Sequence, residues 1–224
     1  MKAASGRRVE LIIFDFDGTL APSLAGITAC MGKALQPFGY PRPSEDAVRL
    51  TIGLTLEDSI RKLTRNGCPE CDIPEVVRTY RDLHNAEAAP LTTLFDGAVE
   101  TLAAVKAAGI KTVLVSNKGH TGLVQLLEQL TIINYFDLGL SADSARHHKP
   151  SAALYTAYIA SAFPDIEAKR VLVVGDTESD LRFAANIGAQ SCWASYGYGN
   201  ASVCTALVPT FTISSISDLQ LLLG

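Results

Sequence analysis

Four short stretches, residues 9–14, 111–116, 170–174 and 190–194, are each nearly continuous in apolar and β-branched side chains. A strand with one wet face alternates apolar and polar residues. An unbroken run has to be buried on both faces, which is the condition of a parallel sheet covered by helices. Helical patterns separate the runs. One covers residues 97–108 and is closed by Gly109 as a C-terminal cap; another covers residues 151–162, between the second and third runs. The alternation predicts an α/β fold, a doubly wound parallel sheet, with its ligand site beyond the carboxyl ends of the strands.

Residues 21–90 break this alternation, with no convincing strand and a series of capped helices instead. Ser44-Glu45-Asp46 predicts one helix start. Thr55-Leu56-Glu57-Asp58 resembles a capping box and predicts a helix running to Gly67, and Pro74 suits the first turn of another. Sixteen of the fifty residues 41–90 are charged, against 42 of 224 overall, so this insertion is expected to be solvent-facing and mobile. The expected organisation is an α/β core from residues 1–20 and 91–224, and an inserted helical domain from residues 21–90.

Composition removes several classes of function. A chain of 224 residues with 48% hydrophobic and 19% charged residues packs as a globular protein rather than as a disordered tail or a rod. A net charge of −4 leaves no basic footprint for a nucleic-acid backbone, so no nucleic-acid partner is expected. The apolar run at residues 11–14 is bounded by Glu10 and Asp15, too short for an export signal or a membrane span. Five scattered cysteines read as reduced intracellular thiols. Together these predict a cytoplasmic protein without a membrane partner.

The chemistry-bearing residues fall where the apolar runs end. The first run leads into Asp15-Phe16-Asp17-Gly18-Thr19-Leu20, two carboxylates two residues apart, suited to act as a nucleophile and a proton donor and acceptor. The second ends in Ser116-Asn117-Lys118, where a hydroxyl and exposed amides can hold a phosphoryl oxygen; the same residues also make ordinary turns. Lys149-Pro150-Ser151 sets a cation before a helix start. The fourth motif, Gly175-Asp176-Thr177-Glu178-Ser179-Asp180, offers hard oxygen ligands that suit Mg²⁺, and is equally an acidic helix start. A parallel sheet gathers all four at one edge. A carboxylate attacking an anionic phosphate needs its repulsion offset, and a lysine with Mg²⁺ supplies that charge. The expected chemistry is phosphoryl transfer.

In order and content these motifs resemble those of the haloacid dehalogenase-like phosphohydrolases, over the whole chain. The resemblance implies that Asp15 is a nucleophile forming an aspartyl-phosphate and that Asp17 protonates the leaving oxygen and then activates water. It implies that Ser116 and Asn117 bind the phosphoryl group, with Lys149 neutralising it. Mg²⁺ would be held by Asp15, the Asp17 carbonyl and Asp176, with Asp180 completing or supporting the site. Asp17 itself favours phosphate esters, because the dehalogenating and phosphonate-cleaving branches typically lack Asp there. The helical insertion is similar to the family's cap. Looser similarity in Ile52-Gly53-Leu54-Thr55-Leu56, Ser141-Ala142-Asp143-Ser144 and Tyr196-Gly197-Tyr198-Gly199 points to the phosphoglycolate phosphatase-like branch, although Thr55 and Ala142 depart from its usual proline and glycine.

The resulting expectation is a Mg²⁺-dependent phosphatase acting on a small phosphorylated metabolite, with 2-phosphoglycolate as the named candidate, as a monomer or homodimer. The alternatives are a β-phosphoglucomutase-like sugar phosphate isomerase, an inorganic pyrophosphatase of the same fold, a phospho-relay receiver and a catalytically silent binding protein. Other residues invite a functional reading and have a plainer one. Cys68 and Cys71 have the spacing of half a zinc site without a second pair. His147 and His148 read as loop residues, and nothing in the sequence requires His120. Arg42, Arg49, Arg61, Lys62 and Arg65 read as a solvated helix face, and Trp193 as core packing.

Overall fold

The computed structural model describes residues 9–65 and 67–222. Six strands, β1 (Leu11–Phe14), β2 (Lys111–Val115), β3 (Leu138–Leu140), β4 (Val171–Gly175), β5 (Gln190–Ala194) and β6 (Phe211–Ile213), form one sheet of order β3-β2-β1-β4-β5-β6. All pairings are parallel, with Leu11 in register with Lys111 on one side and Val171 on the other. The chain builds outward from β1 through β2 to β3, then returns to build β4, β5 and β6 on the other side. This is the classic doubly wound order, and its crevice lies where the direction reverses, beside β1 and β4.

Alternate side chains of the central strands feed two separate cores. Ile12, Phe14, Leu114, Leu172 and Val174 pack on one face, under α5 (Ala98–Ala107) and α6 (His120–Gln129). Leu11, Ile13, Val113, Val115, Val171 and Val173 pack on the other, under α9 (Glu178–Ile187) and a helix of three parts. Those parts are α7 (Ala152–Leu154), a π turn (Tyr155–Ile159) and α8 (Ala160–Ala162). Both faces are therefore dry, which explains the unbroken apolar runs. A slip of one residue would exchange the two cores.

The sequence carries no mark of β3 and β6. Both are three-residue edge strands with partly exposed side chains, too short to show a period. The helix expected over residues 151–162 is present but interrupted by the π turn. The expected C-terminal stop at Gly109 holds: its φ is +72° and its N–H donates to the Lys106 carbonyl.

Between β1 and β2 the chain forms α1 (Leu24–Leu35), α2 (Glu45–Arg49), α3 (Leu56–Leu63) and α4 (Ile73–Leu83), then a π turn (His84–Ala88). Ser44 and Thr55 cap α2 and α3 as expected, and Pro74 lies in the first turn of α4. The expected extension of α3 to Gly67 does not occur. Thr64 turns its hydroxyl back to the Ile60 and Arg61 carbonyls, and Arg65 takes a left-handed conformation, φ +52°, that ends the helix at Leu63. These helices carry apolar clusters of their own, one built on Met31, Leu35, Ile60 and Val76. Among the described residues, no helix is long and apolar enough to cross a membrane.

Past α10 (Ala201–Ala206), Val208 adopts φ +50° while 82% exposed. A β-branched side chain is strained there and buries little in return. Asn tolerates that conformation without the entropic cost of Gly, so Val208→Asn is expected to stabilise the protein by about 1 kcal/mol. Urea unfolding checks this, and an unchanged or lower midpoint would contradict it.

Candidate active site

The site begins where β1 leaves the sheet. The Asp15 N–H donates to the Val174 carbonyl at 3.0 Å, carrying the ladder one residue past the strand and holding Asp15 between β1 and β4. The chain then turns sharply at Gly18, φ +79°, where a Cβ would lie 2.3 Å from the Asp176 carboxylate and 2.7 Å from the Tyr198 ring. Only glycine lets the loop approach so closely.

Lys149 stands at the centre of the buried charge. Its Nζ contacts Asp15 Oδ1 at 2.9 Å and Asp180 Oδ1 at 2.6 Å, and donates to the Val115 carbonyl at 3.1 Å. Asp180 Oδ2 accepts from the N–H and hydroxyl of Thr177, forming the capping box of α9. Asp176 accepts from the Thr19 hydroxyl at 3.1 Å and from the Tyr198 N–H at 2.7 Å. The Trp193 indole, expected as core packing, also donates to the Asp176 carbonyl at 3.0 Å and so fixes the loop that carries this carboxylate.

Asp15, Asp176 and Asp180 offer oxygens that all lie within 4.8 Å of one another. One ammonium stands among three buried carboxylates, so the cluster has a surplus of negative charge. Burial pushes the Asp15 carboxyl up to about 7; Lys149 opposes this and the Asp180 charge adds to it. Asp176 is raised well above its usual range by burial first and then by Asp15 and Asp180. Lys149 is drawn down by burial and raised further by the carboxylates of Asp15 and Asp180, so it stays charged. Hard oxygen donors with uncompensated charge fit Mg²⁺, which takes a few carboxylates and keeps several waters.

Above this cluster is a cavity of about 100 Å³. Asp15, Asp17, Asn117 and Lys118 line it from the sheet edge, and Tyr80, Arg81 and His84 line it from the inserted helices. Asp17 Oδ1 pairs with Lys118 Nζ at 3.1 Å and accepts from the Ser23 hydroxyl. Ser116, Lys149, Asp176 and Asp180 do not line the cavity; they are buried beside or behind it. The Ser116 Oγ accepts from the Lys118 N–H at 3.2 Å. The Asn117 amide donates to the Gly53 and Leu54 carbonyls at 3.1 and 3.0 Å, so it is engaged with the helical segment.

Several cavity residues carry no sequence signal. Arg81 lines it and pairs with Asp143 at 2.8 Å, whereas Arg42, Arg49, Arg61, Lys62 and Arg65 do not reach it. Arg61 instead pairs with Asp58 and Glu70, and Lys62 donates to the Leu50 carbonyl. His120 and His147 are exposed and His148 is half-buried, all outside the cavity lining. Cys68 and Cys71 are free thiols, the first buried and the second exposed.

A family model described as haloacid dehalogenase-like hydrolase matches residues 12–194. The chain is 30% identical to a phosphoglycolate phosphatase of Vibrio parahaemolyticus over 217 residues, covering 94% of each protein. It is also 30% identical to a phosphoglycolate phosphatase of Nitrosococcus oceani, covering 97% of this chain and 98% of the relative. The crystal structure of a predicted phosphoglycolate phosphatase from Haemophilus somnus shares the fold, with a TM-score of 0.88 at 24% identity over 99% of this chain and all of the other.

Proposed function

We propose, from the premise that this chain belongs to the haloacid dehalogenase-like hydrolases, that it is a Mg²⁺-dependent phosphatase hydrolysing a small phosphate monoester, with 2-phosphoglycolate the first candidate. The observation that carries this reading is the trio of buried carboxylates around Lys149, open to a small cavity through Asp15. The division of labour is a core from residues 1–20 and 91–224 that does the chemistry, and a cap from residues 21–90 that covers it.

In this reading an Asp15 oxygen forms a bond to phosphorus as the ester P–O bond breaks, and the leaving oxygen takes a proton from Asp17. Asp17 then accepts a proton from water as that water attacks the aspartyl-phosphate, releasing phosphate and restoring Asp15. Lys149 holds the Asp15 carboxylate in place and offsets phosphoryl charge. Ser116, at the end of β2, binds a phosphoryl oxygen. Asn117 acts by holding the Gly53-Leu54 loop over the substrate, since that is where its amide donates. Asp15, the Asp17 carbonyl and Asp176 would hold Mg²⁺, with Asp180 as support, and the ion would supply positive charge beside the phosphoryl group. The cavity volume of about 100 Å³ favours a small ester.

The test is phosphate release from 2-phosphoglycolate, sugar phosphates, nucleoside monophosphates and pyrophosphate, with Mg²⁺ and with EDTA. Mg²⁺-dependent release from a monoester is expected, and no release from any compound overturns the reading. Mg²⁺ at a hundred times its Kd is expected to stabilise the fold by about 2.7 kcal/mol. Thermal unfolding reads this independently of turnover, and Asp176→Asn should remove most of the shift.

A further inference from the structure

His84 belongs to no motif, yet it reaches from the helical segment to the lysine that pairs with the candidate acid. It opens the π turn after α4 and is only 6% exposed, with its ring 5.8 Å from that of Tyr80. Its Nε2 lies 3.1 Å from Lys118 Nζ, and the same Nζ lies 3.1 Å from Asp17 Oδ1. Three separate elements thus meet in one chain of contacts: the end of α4, the loop after β2 and the loop after β1.

The direction of these bonds follows from the groups. An ammonium has three donors and no acceptor, so the imidazole Nε2 has to accept, and its own hydrogen sits on Nδ1. Burial, and then the Lys118 charge, push the imidazole down to about 3, which keeps it neutral and able to accept. His84 here is an acceptor and not a proton carrier. A lysine stem has many rotamers, and a single carboxylate partner leaves its head free to swing. A second acceptor on an opposing element removes that freedom.

We propose that His84 is a positioning residue that fixes the Lys118 ammonium, and through it the direction of the Asp17 carboxyl, so that Asp17 faces the leaving oxygen only when the helical segment is seated on the sheet edge. The proposal rests on the phosphatase reading and adds to it a link between closure and acid catalysis. The neighbouring Asn117 is held by the same seated segment through Gly53 and Leu54, so consecutive residues of one loop both sense it.

Leaving-group dependence separates this role from a merely structural one. An alkyl ester such as 2-phosphoglycolate leaves as an alkoxide and needs the proton, whereas p-nitrophenyl phosphate leaves as a stable phenolate and does not. General-acid assistance is typically worth about 10²–10⁴-fold, so a misplaced acid is expected to cost part of that. His84→Ala should lower kcat/KM, which reports only the steps up to departure of the leaving group, by about 10–100-fold on the alkyl ester and by less than about threefold on the aryl ester. Asp17→Asn should show the same asymmetry more strongly. His84→Gln, whose Oε1 can accept from Lys118, should restore most of the loss.

Thermal unfolding checks that each variant is folded. Should His84→Ala not fold, His84→Asn, which is polar but falls short of Lys118, takes its place in the comparison. Equal losses on the two esters, no loss on either, or a folded Gln variant without recovery overturns the proposal. Wild-type protein that hydrolyses neither ester overturns this proposal together with the phosphatase reading, whereas active wild type with an unaffected His84→Ala overturns this proposal alone.

Discussion

Replacing Asp15 by Asn is expected to reduce phosphate release by at least about 10⁴-fold, because an amide cannot form the acyl phosphate of the proposed mechanism. The same change should leave the fold intact or strengthen it when metal is absent. Burial, with the Asp180 charge adding to it and Lys149 opposing it, raises the folded Asp15 carboxyl from 3.8 to about 7. An acid whose folded pKa is raised is protonated in both states below about pH 4, where it costs nothing. As pH rises from there to about 7, the unfolded chain gives up the proton first, and the folded state loses stability over that window. Asn carries no such penalty. In EDTA, the variant should therefore match wild type near pH 4 and equal or exceed it at pH 8, read by urea unfolding. Retained turnover would reject Asp15 as the nucleophile. A variant much less stable than wild type at pH 8 would reject the charge argument.

Replacing Lys149 by Met is expected to do the opposite to stability. The methionine keeps much of the stem's volume but removes the ammonium that Asp15 and Asp180 share at 2.9 and 2.6 Å. Breaking a buried pair from one side typically costs about 3–5 kcal/mol, since the remaining charges keep their desolvation penalty without their partner. Phosphate release should fall by about 10²–10³-fold or more, as for other losses of a preorganised charge aimed at the reacting group. Adding Asp180→Asn to Lys149→Met should recover part of the stability and none of the activity. The Asp180 carboxylate is then no longer stranded, but nothing replaces the cation beside Asp15. Urea unfolding and the phosphate assay separate the two effects. A Lys149→Met protein as stable as wild type would mean that the three carboxylates do not depend on this lysine.

The two variants contrast because one ammonium faces three carboxylates at the same strand ends. Removing a negative charge relieves the cluster and removing the positive charge leaves it exposed, although both are expected to lower activity. Mg²⁺ bound at Asp15 and Asp176 would offset the same surplus, so the added stability and the activity should appear at the same metal concentrations.

The parts of the fold that were legible in the sequence are those whose physics is local. β1, β2 and β4 are buried on both faces, and that burial writes itself as unbroken runs ending in Asp15, Ser116 and Gly175. Helix starts at Ser44, Thr55 and Ser151 were legible because a cap is a contact between residues two or three apart. β3 and β6 were not, because a three-residue strand at or near the sheet edge takes its identity from the strand beside it. The end of α3 turned on a hydroxyl and a left-handed Arg65, a local choice that the glycine two residues later disguised.

The same distinction runs through the site. The order of the motifs and the parallel sheet they imply determined which carboxylates, hydroxyl and lysine would share an edge, because every strand of such a sheet delivers its following loop to the same end. Only the tertiary structure decided what stands opposite them. His84, Tyr80 and Arg81 sit on a charged amphipathic helix and its continuation, where in sequence they look like any solvated face. They become cavity walls because the helical segment folds back onto the sheet edge and brings His84 to Lys118 across thirty-four positions of chain. Chemistry carried by consecutive residues could be read from their order. Contacts made across that distance depend on how two separately packed units meet, and no local pattern encodes that.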